Sequence, residues 1–289
     1  TEDVFAPVCE VEKIALVRVS SQVIEGATAM MSRLFLTRFV PSRYDQYLYM
    51  DGDVLIRGSL DPLLDTPVPA GCFLAANDPF TFLLEDHTWQ SRRLHAHLRE
   101  AGIGPEQARS YFNTGVLRIH RSGWEQTGER AWKHFSKNRV ASRFPDQDAM
   151  NLAAGGSRLP MSLRWNYPVF LSNARLGGRI APRIHHFMSA PKPWQGCFAP
   201  WTEEACEPYQ TALRTYPQMA GFAPLLSLAT QAKYALQQDL KQAVETVTWG
   251  LSKRRARILA YEQMCAQPAL VPHGSEPVGD TAGESPAIA

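Results

Sequence analysis

The chain has 289 residues, enough for one large α/β domain or two small ones, and its 45% hydrophobic and 20% charged composition is that of a water-soluble protein with a sizeable core. A formal net charge of +2 supplies no global field for a nucleic-acid partner, so any anion site must be built locally. The cysteines, at 9, 72, 197, 206 and 265, form no CxxC pair, which argues against a zinc knuckle or a disulfide framework and for a reducing compartment; no apolar run reaches membrane-span length and no secretory signal opens the chain.

In chain order, residues 12–20 (EKIALVRVS) read as a short strand. Residues 25–40 carry apolar positions at helical spacing and stop at Pro41. Residues 47–50 (YLYM) suit a buried strand that ends in DGDVLIRGSL, and 71–76 (GCFLAA) a second one. Residues 88–101 predict an exposed helix, 113–120 (NTGVLRIH) a strand, and 124–136 and 146–154 helices, the last with an acidic first turn. Residues 183–188 (RIHHFM) read as a strand entering a proline-braced loop, SAPKPW. Strands alternating with helices predict a parallel, Rossmann-like sheet. Residues 223–264 predict a long helix broken near Gly250, with a basic cluster at Lys253, Arg254, Arg255 and Arg257. From Gln267 onward the Pro, Gly, Ser and Glu content is too polar to fold.

The chemistry starts at Asp51-Gly52-Asp53. In an extended segment, side chains two apart share a face, so both carboxylates can meet one ion. Strand ends are where open α/β sheets hold ligands, and oxygen donors suit Mn²⁺ or Mg²⁺. The plain alternative for this motif is a solvated turn. In RIHHFM, alternation puts Ile184, His186 and Met188 on one face; His186 could complete a mixed N/O set, which leans towards Mn²⁺, or be a satisfied structural histidine. Lys192, in the proline-braced loop, can hold a phosphate as a point charge or be a surface lysine. The Asn113-Thr114-Gly115 turn allows close backbone approach to a sugar, and Asp146-Gln147 lie in a helix N-terminus; each also has a purely structural reading.

The blocks RYDQYLYMDGDVLIRGSLDPLL, YFNTGVLRI, FPDQDAMN, RWNY and HHFMSAPKPW, in that order over roughly residues 25–200, resemble glycosyltransferase family 8. The resemblance implies an α/β protein of the GT-A (nucleotide-diphospho-sugar transferase) fold that uses a UDP-sugar and Mn²⁺, with Mg²⁺ as the alternative ion, and retains anomeric configuration. It implies Asp51, Asp53 and His186 as metal ligands and Lys192 as the diphosphate contact. Arg33 matches the donor-contacting arginine, and Asp78 a position that binds a sugar hydroxyl. Gly52, Asn113, Thr114 and Gly115 fall on the donor side, and Asp146 and Gln147 match the catalytic pair lining the β-face of the donor sugar. The expected reaction moves galactose or glucose to a glycan or lipid-linked acceptor, as in lipopolysaccharide biosynthesis, in the cytoplasm or at the inner membrane face. No nucleic acid is expected as a partner, and the basic helix at 253–257 is expected either to touch an anionic membrane or to dock on the catalytic domain with its basic face solvated.

Two departures stand out from the family pattern. Ser189 replaces the usual glycine three residues after the metal-binding histidine. The front β-α-β nucleotide-binding unit is expected to be absent, which keeps open a non-catalytic or inactive sugar-nucleotide-binding protein. Another metal-dependent enzyme, such as a nucleotidyltransferase, is a further alternative. The expected division is 1–205 catalytic, 206–266 a C-terminal helical extension, and 267–289 a disordered tail.

Overall fold

The computed structural model describes residues 2–138, 144–251 and 253–267. Among the described residues the strands are β1 (Gln46–Met50), β2 (Val54–Ile56), β3 (Phe73–Asn77), β4 (Phe112–His120), β5 (Arg158–Pro160), β6 (Tyr167–Pro168) and β7 (Ile184–His186). They form a four-stranded sheet in the order β1-β4-β3-β5 and a three-stranded sheet in the order β2-β7-β6. The four-stranded sheet is mixed rather than parallel as the strand–helix alternation predicts. β4 runs antiparallel to both β1 and β3, and only the β3–β5 pair of this sheet is parallel. Hydrophobic patterning shows that a strand is buried on both faces; it does not carry strand direction.

β4 is central and almost wholly buried because neighbours pair with it on both edges and side chains cover both faces. The period of two divides the core. Leu74, Ala76 and Val116 join one hydrophobic cluster with Leu163, Ile184 and Ile258. Phe73, Ala75, Leu117 and Ile119 join the other, with Trp124 and Met150 from the helices Arg121–Asn138 and Pro145–Ala154.

Two N-terminal expectations are also corrected. Residues 14–20 join no ladder, and Ile14, Leu16 and Val17 are 58%, 50% and 57% exposed. A β-rich sequence becomes a strand only when an edge is there to pair with it. The predicted 25–40 helix starts later and is mostly tight: a 3₁₀ segment Ala29–Phe35 is followed by one α-turn, Leu36–Phe39.

The long C-terminal stretch is helical over Leu228–Leu251 and Arg254–Ala266. Lys253 of the basic cluster is exposed, but its three arginines face the protein. Arg254 and Arg257 pair with the buried Asp86, and Arg255 donates to the Ala174 carbonyl at 2.8 Å. Ile258 and Tyr261 enter the first core cluster, and the Tyr261 hydroxyl donates to the Met161 carbonyl at 2.7 Å. A membrane role for these arginines is not supported, because their charges are already engaged. The side chains of Trp249 and Leu251, and residues 268–289, lie outside the described residues. Among the described residues no helix is long and apolar enough to cross a membrane.

Asp86→Ala would leave the guanidinium groups of two docked arginines without their shared carboxylate. We expect a loss of ~3–5 kcal/mol of stability, read from the urea midpoint. A loss under about 1 kcal/mol would mean that the pair is not what docks the helix.

Candidate active site

β1 ends at Met50, and the chain turns through Asp51–Asp53 before β2 begins. The two carboxylates therefore converge across a turn, not along an extended strand as alternation predicts. The Asp51 amide donates to the Gly115 carbonyl of β4 at 2.7 Å, which ties the turn to the central strand. β2 then pairs antiparallel with β7 and aligns Val54 with His186. The Phe187 amide donates to the Asp53 carbonyl at 2.9 Å and extends that ladder into the turn. This pairing brings together residues 133 or more positions apart: ligand atoms of Asp51, Asp53 and His186 all lie within 4.8 Å of one another.

The imidazole is tightly seated. Its Nδ1 lies 2.8 Å from Asn166 Oδ1 and its Nε2 lies 3.2 Å from Asp53 Oδ1. A Cβ at Gly115 would sit 2.1 Å from His186 Cε1, so this glycine makes room for the histidine ring. Gly52 sits in the open turn, where a Cβ would meet nothing within 4 Å.

Two cations flank the carboxylates. The Arg33 guanidinium lies 3.0 Å from Asp51 Oδ1 and donates to Thr114 Oγ1 at 3.0 Å and to the Thr114 carbonyl at 3.1 Å. Its Nε is 3.4 Å from Asp146 Oδ2, an ion-pair distance without hydrogen-bond alignment. On the other side, Lys192 Nζ donates to Asp53 Oδ2 at 2.6 Å and to the Phe187 carbonyl. Burial alone would raise the Asp53 carboxyl, but the adjacent His186 imidazole and the Lys192 ammonium outweigh it and hold it at about 2.

Behind this cluster runs a buried amide and carboxylate network. Asn113 Nδ2 donates to Asp78 Oδ2 at 3.2 Å and to Gln147 Oε1 at 3.1 Å. Gln147 Nε2 donates to Asp78 Oδ2 at 3.1 Å, while its Oε1 also accepts from the Thr114 amide at 3.2 Å. Burial pushes the Asp78 carboxyl up, against hydrogen bonds from the Phe80 amide, Asn113 and Gln147. Burial also raises Asp146, with Arg33 opposing. The helix carrying Asp146 and Gln147 is clipped to β4 by Asn151, which accepts from the Phe112 amide at 2.8 Å and donates to the Phe112 carbonyl at 2.9 Å.

The donor set fits a divalent cation. Two carboxylates and one imidazole converge, and the other imidazole nitrogen is already held by a side-chain amide, the outer partner that a metal-binding histidine needs. Ser189 is exposed and lines a small cleft with His186 and Met188. A separate open groove, lined by Trp89, Leu240 and Val244 among others, contains none of the cluster residues.

Among the expected site residues, Arg33, Asp51, Thr114 and Asp146 meet on one side, Asp53, His186 and Lys192 on the other, and Asp78, Asn113 and Gln147 behind. Sequence reading assigned no role to two further contacts. Tyr49 donates to Asp51 Oδ1 at 2.6 Å; two residues earlier on β1, it shares the face on which Asp51 leaves the strand. Asn166 stood in the RWNY block, but only the fold brings it to His186.

A family model described as Glycosyl transferase family 8 matches residues 15–197. Similar curated proteins include the lipopolysaccharide glucosyltransferase WaaO of Escherichia coli K12, 24% identical over 177 residues, which covers 57% of this chain and 49% of the relative. Another is the probable galacturonosyltransferase-like 2 of Arabidopsis thaliana, 24% identical over 143 residues, covering 47% of this chain and 41% of the relative. The chain spans about half the length of the curated relatives it matches first, 49% in each case. Among solved structures, the galactosyltransferase LgtC in complex with donor and acceptor sugar analogs aligns with a TM-score of 0.51 at 21% identity, over 76% of this chain and 79% of that one. The bifunctional glycosyltransferase WbbM aligns with a TM-score of 0.52 at 18% identity, over 74% of this chain and 39% of that one. At such identities these likenesses carry the fold alone, and that fold is GT-A. With the family model matching well over half of the residues, the chain belongs to glycosyl transferase family 8.

Proposed function

We propose that this chain is a retaining hexosyltransferase that moves galactose or glucose from a UDP-sugar to a glycan or lipid-linked acceptor of the lipopolysaccharide type. One observation carries the reading: the Asp51–Asp53–His186 cluster, with Lys192 at its edge, lies against the buried Asn113–Gln147–Asp78 network. The first suits a diphosphate with its cation, and the second a sugar. Residues 1–205 carry the transfer site in this reading, and 206–266 brace it.

Asp51, Asp53 and His186 would hold Mn²⁺, which supplies Lewis-acid stabilisation of the departing diphosphate. Lys192 adds a point charge on the same oxygens. Asp78 and Asp146 present carboxylates towards a sugar whose anomeric carbon gains positive charge. The bond from that carbon to the diphosphate breaks, and the bond to the acceptor hydroxyl forms on the same face, with a leaving phosphate oxygen taking the hydroxyl proton. This front-face route is supported by the engagement of the rival nucleophiles. Gln147 Oε1 already accepts from two donors, and Asp146 faces Arg33. Trapping a glycosyl adduct on either residue would overturn it.

The test is hydrolysis of UDP-galactose and UDP-glucose, with and without Mn²⁺, alongside UDP binding. Turnover that requires the ion supports the reading and names the sugar. UDP binding without turnover, across a panel of saccharide acceptors, would instead favour a binding protein. Lys192→Ala is expected to lower kcat by roughly 10²-fold or more while Mn²⁺ binding persists. An unchanged kcat would remove Lys192 from the transfer step.

A further inference from the structure

The interior of the site contains one residue whose bonds connect its two halves. Asn166 is 2% exposed and lies between His186 and Asn113. Its orientation follows from a donor that cannot reverse. The Gly115 backbone N–H donates to Asn113 Oδ1 at 2.9 Å, so that atom is the amide oxygen. Asn113 Nδ2 consequently faces Asp78 and Gln147, as its contacts show. Asn166 Nδ2 lies 2.9 Å from the same Asn113 oxygen and must be the donor there. Asn166 Oδ1 is thereby turned to His186 Nδ1, 2.8 Å away. An amide oxygen can only accept, so Nδ1 carries a proton and Nε2 is the nitrogen presented towards Asp53.

We propose that Asn166 is a positioning residue: it holds the His186 ring with Nε2 towards the carboxylate pair and, through Asn113, couples that ring to Gln147 and Asp78. This rests on the reading of Asp51, Asp53 and His186 as metal ligands. Three features make the device specific. The ring cannot slide, because Gly115 leaves no space beyond its own backbone. It cannot flip without placing its carbon edge against the Asn166 oxygen. And Asn166 cannot rotate without turning its oxygen towards the Asn113 oxygen, which would lose a buried hydrogen bond.

The coupling separates two effects by substitution. Asn166→Leu keeps approximate volume and removes both bonds. Asn166→Asp keeps an acceptor for His186 Nδ1 but supplies no donor to Asn113. The first should loosen the ion and the sugar network together, the second mainly the sugar network.

The experiment uses the full chain and Mn²⁺ alone, without nucleotide. Electron paramagnetic resonance titration reads affinity, and electron spin-echo envelope modulation reads imidazole nitrogen bound to the ion. His186→Ala and Asp51→Ala/Asp53→Ala serve as references, and circular dichroism confirms folding. Asn166→Leu is expected to weaken Mn²⁺ binding by roughly 10- to 100-fold and to lose the imidazole modulation. Asn166→Asp should retain that modulation and yet lose donor-sugar turnover. If the leucine variant does not fold, Asn166→Ser gives the same readout with a smaller packing change. Wild-type affinity and modulation in the leucine or serine variant would overturn the proposal, and so would loss of modulation in Asn166→Asp. Should the His186 and double-aspartate references bind Mn²⁺ like wild type, the metal reading itself fails and takes the proposal with it, an outcome distinct from failure at Asn166 alone.

Discussion

Asp51→Ala/Asp53→Ala is expected to lower Mn²⁺-dependent turnover of the UDP-hexose by ~10³-fold or more, because stabilising charge on a departing phosphate is worth several kcal/mol. Both carboxylates converge on one point with His186, and removing both leaves a single imidazole, which cannot hold a hard cation. The fold should survive. Asp51 and Asp53 sit in a turn, and the backbone bonds that fix it, from the Asp51 amide to Gly115 and from the Phe187 amide to the Asp53 carbonyl, use no side chain. The substitution does release Arg33 and Lys192 from their carboxylate partners, so thermal unfolding should be measured alongside. A stable double variant with undiminished Mn²⁺-dependent turnover would refute the assignment of these residues. A variant that still binds UDP without the ion, but does not turn the donor over, would localise the effect to the chemical step.

The second large effect is expected from one methyl group. Gly115→Ala would place a Cβ 2.1 Å from His186 Cε1, 2.8 Å from Nδ1 and 2.9 Å from Nε2. Such distances lie inside van der Waals contact, so the ring or the strand must move. β4 is paired on both edges and has little freedom, which leaves the imidazole to give way. Its displacement breaks the bond to Asn166 and turns Nε2 from the carboxylates. We expect Mn²⁺ affinity to fall by roughly 10- to 100-fold, as when the outer partner of a ligand is lost, and overpacking to cost about 1–3 kcal/mol of stability. Titration of Mn²⁺ with the purified variant, set against His186→Ala, checks this. If Gly115→Ala binds Mn²⁺ like wild type, the ring has room that the geometry denies, and the glycine serves some other purpose. A glycine on the donor-sugar side would instead affect the Michaelis constant for UDP-hexose and leave the ion alone, so the two readings separate in one pair of measurements.

Much of this site was legible before any fold was known, for a particular reason. Asp51, Asp53, Asn113, Asp146, Gln147, His186 and Lys192 lie in short blocks whose order resembles the family, and each block contains its own turn or strand end. Local chemistry of that kind survives in a linear reading. Tyr49 was within reach too, since its register with Asp51 is a matter of alternation.

Other features needed the third dimension. Asn166 has no local signature as a partner of histidine: it lies 20 residues before His186 in the chain and meets it only because β6 and β7 pair in one sheet. The role of Gly115 depends on which ring packs over it. The apolar residues at 14–20 had strand composition and lacked a ladder, and the direction of β4 is invisible in a hydrophobic pattern. Arg254 and Arg257 looked like a solvated or membrane-facing cluster because the sequence shows their charge but not the Asp86 that meets it from 168 and 171 residues away. Sequence alone determined which groups could do chemistry, since residue type and near spacing are local properties. The tertiary structure decided which of them meet and how each is aimed, because a hydrogen bond or an ion pair depends on distances that the chain sets only when its strands close against one another.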